Sequence, residues 1–211
     1  MNKLLLTLPV VLMMLSGCGD PTDATESNFK KAAQAYLDTQ YPYCYIMVNF
    51  PVKTDVASFN HFPEVLHVMA GKGMVKETES SRKHIPASWA GKERDIVVNT
   101  YDLTEEGKKY YKPDATINML GEALGGFCFG RATVEAVDNF TAPSDAMGQK
   151  ISRVAFSYKV TDIPDWAGTP ELLELVPRLK EDVASGSVPL KQNGAFILTG
   201  KGWMDRRLFG K

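Results

Sequence analysis

The sequence predicts an α+β protein built on small antiparallel sheets. Apolar residues recur at helical spacing in the front half, within 27–40 and 62–73. Farther on, Ile151, Val154, Phe156, Tyr158 and Val160 alternate with Ser152, Ser157, Lys159 and Thr161, the pattern of a half-buried strand. The link "TAPSDAMG" joins that run to an earlier strand-like one, which reads as a hairpin.

Taken in order, Ser27–Gln40 is a helix. Ser27 caps it, and Phe29, Ala32, Ala33, Tyr36 and Leu37 share one face. Tyr41-Pro42 ends it, because the residue before proline avoids helical backbone. "CYIMVNFPV" is extended. Phe62–Gly73 is the next helix, with Pro63 in its first turn and Val65, Leu66 and Met69 facing inward. "MVKETES" and "RDIVVNTYDLT" are strand-like, joined by the polar connection "SRKHIPASWAGKE". "LTEEGKKYY" opens a short helix capped by Thr104, with Glu105 and Glu106 where the helix dipole favours them. Asp114–Leu124 reads as a further helix. "FCFGRATVEAVDNF" is a strand. "TPELLELVPRLKEDVASG" is an amphipathic helix packed on the second sheet, and Pro177 kinks or splits it. "GAFILTGKGW" and "MDRRLF" are strand-like.

The first residues carry an address. Lys3 precedes "LLLTLPVVLMML", about twelve apolar residues where a bilayer core needs roughly twenty. A charged start and a short apolar run describe a secretory leader. Its end, Leu15-Ser16-Gly17-Cys18, resembles the bacterial lipobox. That resemblance implies removal of residues 1–17 and a thioether-linked diacylglycerol on Cys18, with palmitate as the usual acyl chain. Gly19, rather than aspartate, follows the cysteine, which implies the outer membrane with the domain facing the periplasm. The alternative is a plain leader with an incidental cysteine. Residues 18–26 are polar and turn-prone and read as a tether. The rest divides into a part over 27–124 and a part over 125–211.

The chain has a formal net charge of −1, and loss of Lys3 with the leader makes it more negative by one. This gives no electrostatic case for nucleic acid. Cys44 and Cys128 remain beside Cys18. In an oxidising compartment they read most simply as one disulfide joining the front of the protein to the back, the alternative being two separately buried thiols.

Residues 62–111 resemble the recognition-helix-to-wing region of winged-helix domains. Gly73-Met74-Val75 matches the turn into the wing, and Tyr101-Asp102-Leu103-Thr104-Glu105-Glu106-Gly107 matches its closing segment. The resemblance implies a winged-helix-like front part. It departs from the family in lacking two well-spaced helices directly before the wing.

No nucleophile elbow, phosphate loop or zinc-protease signature occurs. His61 and His67 do not share a helix face, and His84 lies in a basic loop. No catalytic constellation and no cofactor are expected. The best surface candidate is that loop, with Arg82, Lys83, Trp89, Lys92 and Arg94. On a DNA-binding wing such residues touch phosphates; in a cell envelope their partner is a protein or an anionic polymer, the alternative being an ordinary solvated loop. The expected protein is a non-enzymatic envelope lipoprotein, held to the membrane by its lipid and presenting a domain to another envelope protein. The alternative is a periplasmic binder of a small ligand or peptidoglycan fragment, with Trp166 or Trp203 lining its pocket.

Overall fold

In a computed structural model, residues 20–54, 62–89, 91–146 and 148–210 are described. Cys18, the leader and His61 lie outside them. The protein is a mixture of helix and antiparallel sheet, as expected. The first helix, α1 (Glu26–Leu37), is followed by β1 (Tyr43–Met47) and β2 (Val52–Thr54). Next come α2 (Phe62–Gly71) and the long hairpin β3 (Val75–Ile85) and β4 (Arg94–Leu103). One turn of helix, α3 (Glu105–Lys108), leads to β5 (Tyr111–Ile117), β6 (Ala123–Phe129) and β7 (Arg131–Phe140). The chain continues through β8 (Ser144–Ala146), β9 (Gln149–Thr161), α4 (Pro170–Leu175), α5 (Pro177–Ala184), β10 (Leu190–Thr199) and β11 (Gly202–Asp205).

Among the described residues three antiparallel sheets form, in the orders β1-β6-β5, β2-β4-β3 and β11-β10-β9-β7, with β8 also on β9. Two apolar cores result. In the first, Phe29, Ala33 and Leu37 of α1 pack on Val134, Val154, Phe156, Phe196 and Trp203 of the largest sheet. In the second, Val65, Leu66 and Met69 of α2 meet Ile46, Tyr101, Phe127, Phe129, Leu172 and Leu179. Ile163 touches both.

These cores do not follow the expected division at 124/125. α1 belongs to the sheet of the back half, and α4 and α5 cover the front half. β6 crosses the boundary. Each apolar helix face is buried against whichever sheet offers a complementary face, and that pairing is non-local.

Four local expectations change as well. Asp114–Leu124 is not a helix but the hairpin β5–β6. Ile117, Leu120 and Leu124 have helical spacing, yet pairing with β6 overrides it. Pro113 fits because β5 is an edge strand whose register shifts between Lys112 and Thr116. The first part of the polar connection is strand: β3 runs to Ile85, opposite Arg94. The cap of α1 is Thr25, whose Oγ1 accepts from Asn28 N. Pro177 does split the amphipathic helix, into α4 and α5.

The fourth concerns the tether. Of its residues, 20–25 are fastened to the fold. Trp203 Nε1 donates to the carbonyls of Thr22 and Asp23, both at 3.1 Å. Asn28 Nδ2 donates to the carbonyls of Asp20 (2.8 Å) and Asp23 (2.9 Å). Gly202, at φ +106°, lies so close under Pro21 that a Cβ there would stand 2.8 Å from its carbonyl oxygen.

The disulfide between Cys44 and Cys128 is present. The two residues face each other in register on β1 and β6. The bridge therefore joins neighbouring strands of one sheet rather than two separate halves.

Candidate interaction surface

The β3–β4 hairpin carries the five predicted surface residues. Its base is closed by Thr104, whose Oγ1 donates to the Gly73 carbonyl at 2.6 Å and accepts from Gly107 N at 3.0 Å. Gly73 takes φ +75°, and Gly107 must be glycine because a Cβ would lie 1.9 Å from Met74 O. Higher up, Tyr101 donates to Glu77 at 2.7 Å, and His67 and Asn99 also bond that carboxylate. Burial raises the Glu77 pKa, but the three hydrogen bonds outweigh it and hold the group below its ordinary value. Tyr101 is pushed up to about 12, by burial and then by Glu77.

The hairpin is not a uniformly basic surface. Arg82 pairs with Glu79 at 2.7 Å and Asp95 at 3.1 Å. His84 sits 2.9 Å from Asp95 and 3.7 Å from Glu93. Hydrogen bonds from His84 and then Arg82 hold Asp95 below the ordinary carboxylate value, and Arg82 does the same for Glu79. Lys83, Lys92 and Arg94 form no ion pair among the described residues. Trp89 stands fully exposed at the tip, 101%, bracketed by reciprocal backbone bonds between Ser88 and Gly91. The structure thus keeps the aromatic tip and pairs Arg82 with carboxylates, while Lys83, Lys92 and Arg94 stay unpaired among the described residues.

A second exposed tip was missed in the sequence because the segment reads as helix. At the end of the β5–β6 hairpin, Ile117, Met119 and Leu120 are 70%, 104% and 83% exposed. The turn beneath them is braced. Asn118 Oδ1 accepts from Leu120 N (2.9 Å) and Glu122 N (3.0 Å), and Gly121 supplies φ +81°. Three aliphatic side chains are therefore held in water by an ordered turn. The available signal was "NMLG", an asparagine and a glycine at turn spacing.

Inside, a polar cluster links the cores. Asp182 Oδ2, fully buried, accepts from Tyr41 at 2.9 Å and Tyr45 at 2.6 Å. Arg178 Nε faces Asp182 Oδ1 at 3.2 Å, as a charge pair lacking hydrogen-bond alignment. Another Arg178 nitrogen donates to Tyr41 (2.7 Å) and Tyr158 (3.2 Å). Burial, then the Asp182 charge, raises Tyr41 far above the ordinary phenol value of 10.0; burial and the bond to Asp182 do the same for Tyr45. Beside this cluster lies a groove of about 420 Å³ lined by Ile46, Met47, Phe62, Val65, Leu175 and Arg178, among others.

Both tryptophans of the ligand-binding expectation pack against other side chains. Trp203 packs in the first core. Trp166 packs against Tyr110, Phe127 and Phe129. Among the described residues, no group of three or more His, Cys, Asp or Glu is placed to hold a metal ion, and no helix is long and apolar enough to cross a membrane.

Comparison with known proteins returned no matching family model, no matching curated protein and no matching solved structure.

Proposed function

We propose that this chain is a lipid-anchored envelope protein of non-enzymatic type that presents its domain to another protein through the apolar hairpin tips. The observation that carries the reading is the braced β5–β6 tip, where three large aliphatic side chains stand in water. Exposed apolar groups carried on a braced backbone favour a partner pocket, because the turn itself need not be ordered on binding. The anchor itself rests on the Leu15–Cys18 motif. The front part reads as a winged-helix-like unit turned to protein contact. In support, α2 precedes the wing, β2 lies beside β4 in the order β2-β4-β3, and the Gly73 and Thr104–Gly107 contacts close the wing base. Pairing of Arg82 with Glu79 and Asp95 takes that guanidinium away from phosphate contact.

A photo-crosslinking residue at position 120, in cells, is expected to give one discrete adduct absent when the same residue stands at Lys191 on β10. Met119→Asp with Leu120→Asp should leave the thermal midpoint nearly unchanged. It should weaken partner binding by about 10- to 100-fold, from the lost burial of two apolar side chains. No adduct from positions 120 and 89 alike defeats the reading.

A second reading is favoured by the groove beside Arg178. Its apolar lining and single guanidinium suit an anionic amphiphile better than a sugar polymer. Dodecanoate should displace a fluorescent naphthalene sulfonate from the purified protein, and Met47→Trp should block both. An unchanged signal ends this reading.

A further inference from the structure

The fastened segment at residues 20–25 sets how the domain stands on its membrane. This rests on lipidation of Cys18, as proposed above. Cys18 is two residues from Asp20, and two residues reach at most about 7 Å. Asp20 is not free to drift from the fold, because its carbonyl is bound by Asn28 and the next residues are bound by Trp203 and packed on Gly202. The acyl chains must therefore enter the bilayer close to the β10–β11 turn.

Strand register shows which end of the large sheet that is. Thr199 pairs with Gly202, and Ile197 with Ile151. The β10–β11 turn and the β8–β9 turn, where Ala146 faces Gln149, therefore share one end. The opposite end is marked by Arg131 facing Thr161 and Leu190 facing Tyr158. Every connection to the second core leaves there. β6 enters β7 through Gly130, β9 exits toward α4 at Thr161, and α5 returns to β10 at Leu190. α1 starts beside Trp203 and leads to Tyr41, which bonds Asp182. The two ends of β9, a strand of 13 residues, are roughly 30 to 40 Å apart at the usual rise per residue.

We infer that the sheet of β7, β9, β10 and β11 with α1 is a rigid pedestal. Its β8–β9 and β10–β11 turns rest on the phospholipid headgroups, and the second core with both hairpins is held away from the bilayer. The seated end carries exposed Lys150, opposite Asp145, together with exposed Lys201, Asp20 and Asp23. Among the described residues of these two turns there is no large exposed apolar side chain. The short link, not charge, seats it.

The test uses full-length lipidated protein in liposomes carrying an acceptor dye on their headgroups. A donor dye is attached through Lys201→Cys or Trp89→Cys, the native thiols being acylated or bridged. The Lys201→Cys donor is expected to lose most of its emission, and the Trp89→Cys donor to retain most. A flexible Gly/Ser insertion between Gly19 and Asp20 should narrow the difference. Equal quenching of the two donors, or a difference the insertion leaves untouched, overturns the pedestal. Failure of the protein to take up radiolabelled palmitate overturns the lipidation reading, and the pedestal with it. Uptake with equal quenching removes the pedestal alone.

Discussion

Replacing Asp182 with alanine should destabilise the fold by about 3 kcal/mol, among the largest effects of any single side chain here. Removal leaves the Tyr41 and Tyr45 hydroxyls without their acceptor, and leaves the Arg178 guanidinium without its buried counter-charge. Loss of one partner from a buried ion pair costs about 3–5 kcal/mol in general. The lower end applies because the Arg178 side chain is 38% exposed and water recovers part of the loss. The position amplifies the effect: Asp182 is on α5, Tyr41 follows α1 and Tyr45 is on β1, so the cluster fixes how the cores meet. Asp182→Asn keeps an acceptor and should cost less.

The same cluster predicts alkaline behaviour. The folded pKa of Tyr41 and Tyr45 is raised above the unfolded value of 10.0. Their contribution is thus fully present below pH 10 and is lost as pH rises beyond it. Tyrosinate absorbance should show these phenols ionising only together with unfolding, and at lower pH in Asp182→Asn. Chemical denaturation of the three proteins measures the rest. A midpoint for Asp182→Ala equal to that of the parent would show that the cluster adds nothing.

Much of the secondary structure was legible because its signals are local. The α1 face, the Thr104 cap, the Pro177 break and the alternation along β9 depend on residues a few positions apart. What misled was local too: Ile117, Leu120 and Leu124 mimic a helix, while the partner that makes them a hairpin, β6, is recruited by pairing. Partition of the cores was illegible because α1 and the large sheet are separated by about half the chain. Burial of Asp182 was equally hidden. Arg178 and Asp182 stand four apart, an ordinary exposed helical pair until Tyr41 and Tyr45 close over it. At the surface, Arg82, Lys83, Trp89, Lys92 and Arg94 share one hairpin as expected. Among the described residues, Arg82 alone of these cations has carboxylate partners, Glu79 three residues before it and Asp95 across the strand pair; the second comes from strand register, which the polar composition of the segment did not reveal.

Loss of the Cys44–Cys128 bridge should cost about as much as any point change. The bridge closes a loop with a sequence separation of 84, for which chain entropy gives about 4–5 kcal/mol before native-state adjustments. That is a large share of the roughly 5–15 kcal/mol that holds a typical domain folded. The loop encloses β2, α2, β3, β4, α3 and β5, the elements that build most of the second core around Phe127 and Met69. The first core lies largely outside it, with β7, β9, β10 and β11. The penalty should therefore be uneven. In Cys44→Ala with Cys128→Ala, amide exchange should quicken in β5, β6 and the β3–β4 hairpin, while β9 and β10 keep more of their protection. Thiol reduction of the parent protein should reproduce both the lower denaturant midpoint and the exchange pattern, since it removes the same constraint without changing a side chain's size. Uniform acceleration across both cores would mean that they unfold as one unit. An unshifted midpoint would mean that β1–β6 pairing alone holds the loop closed.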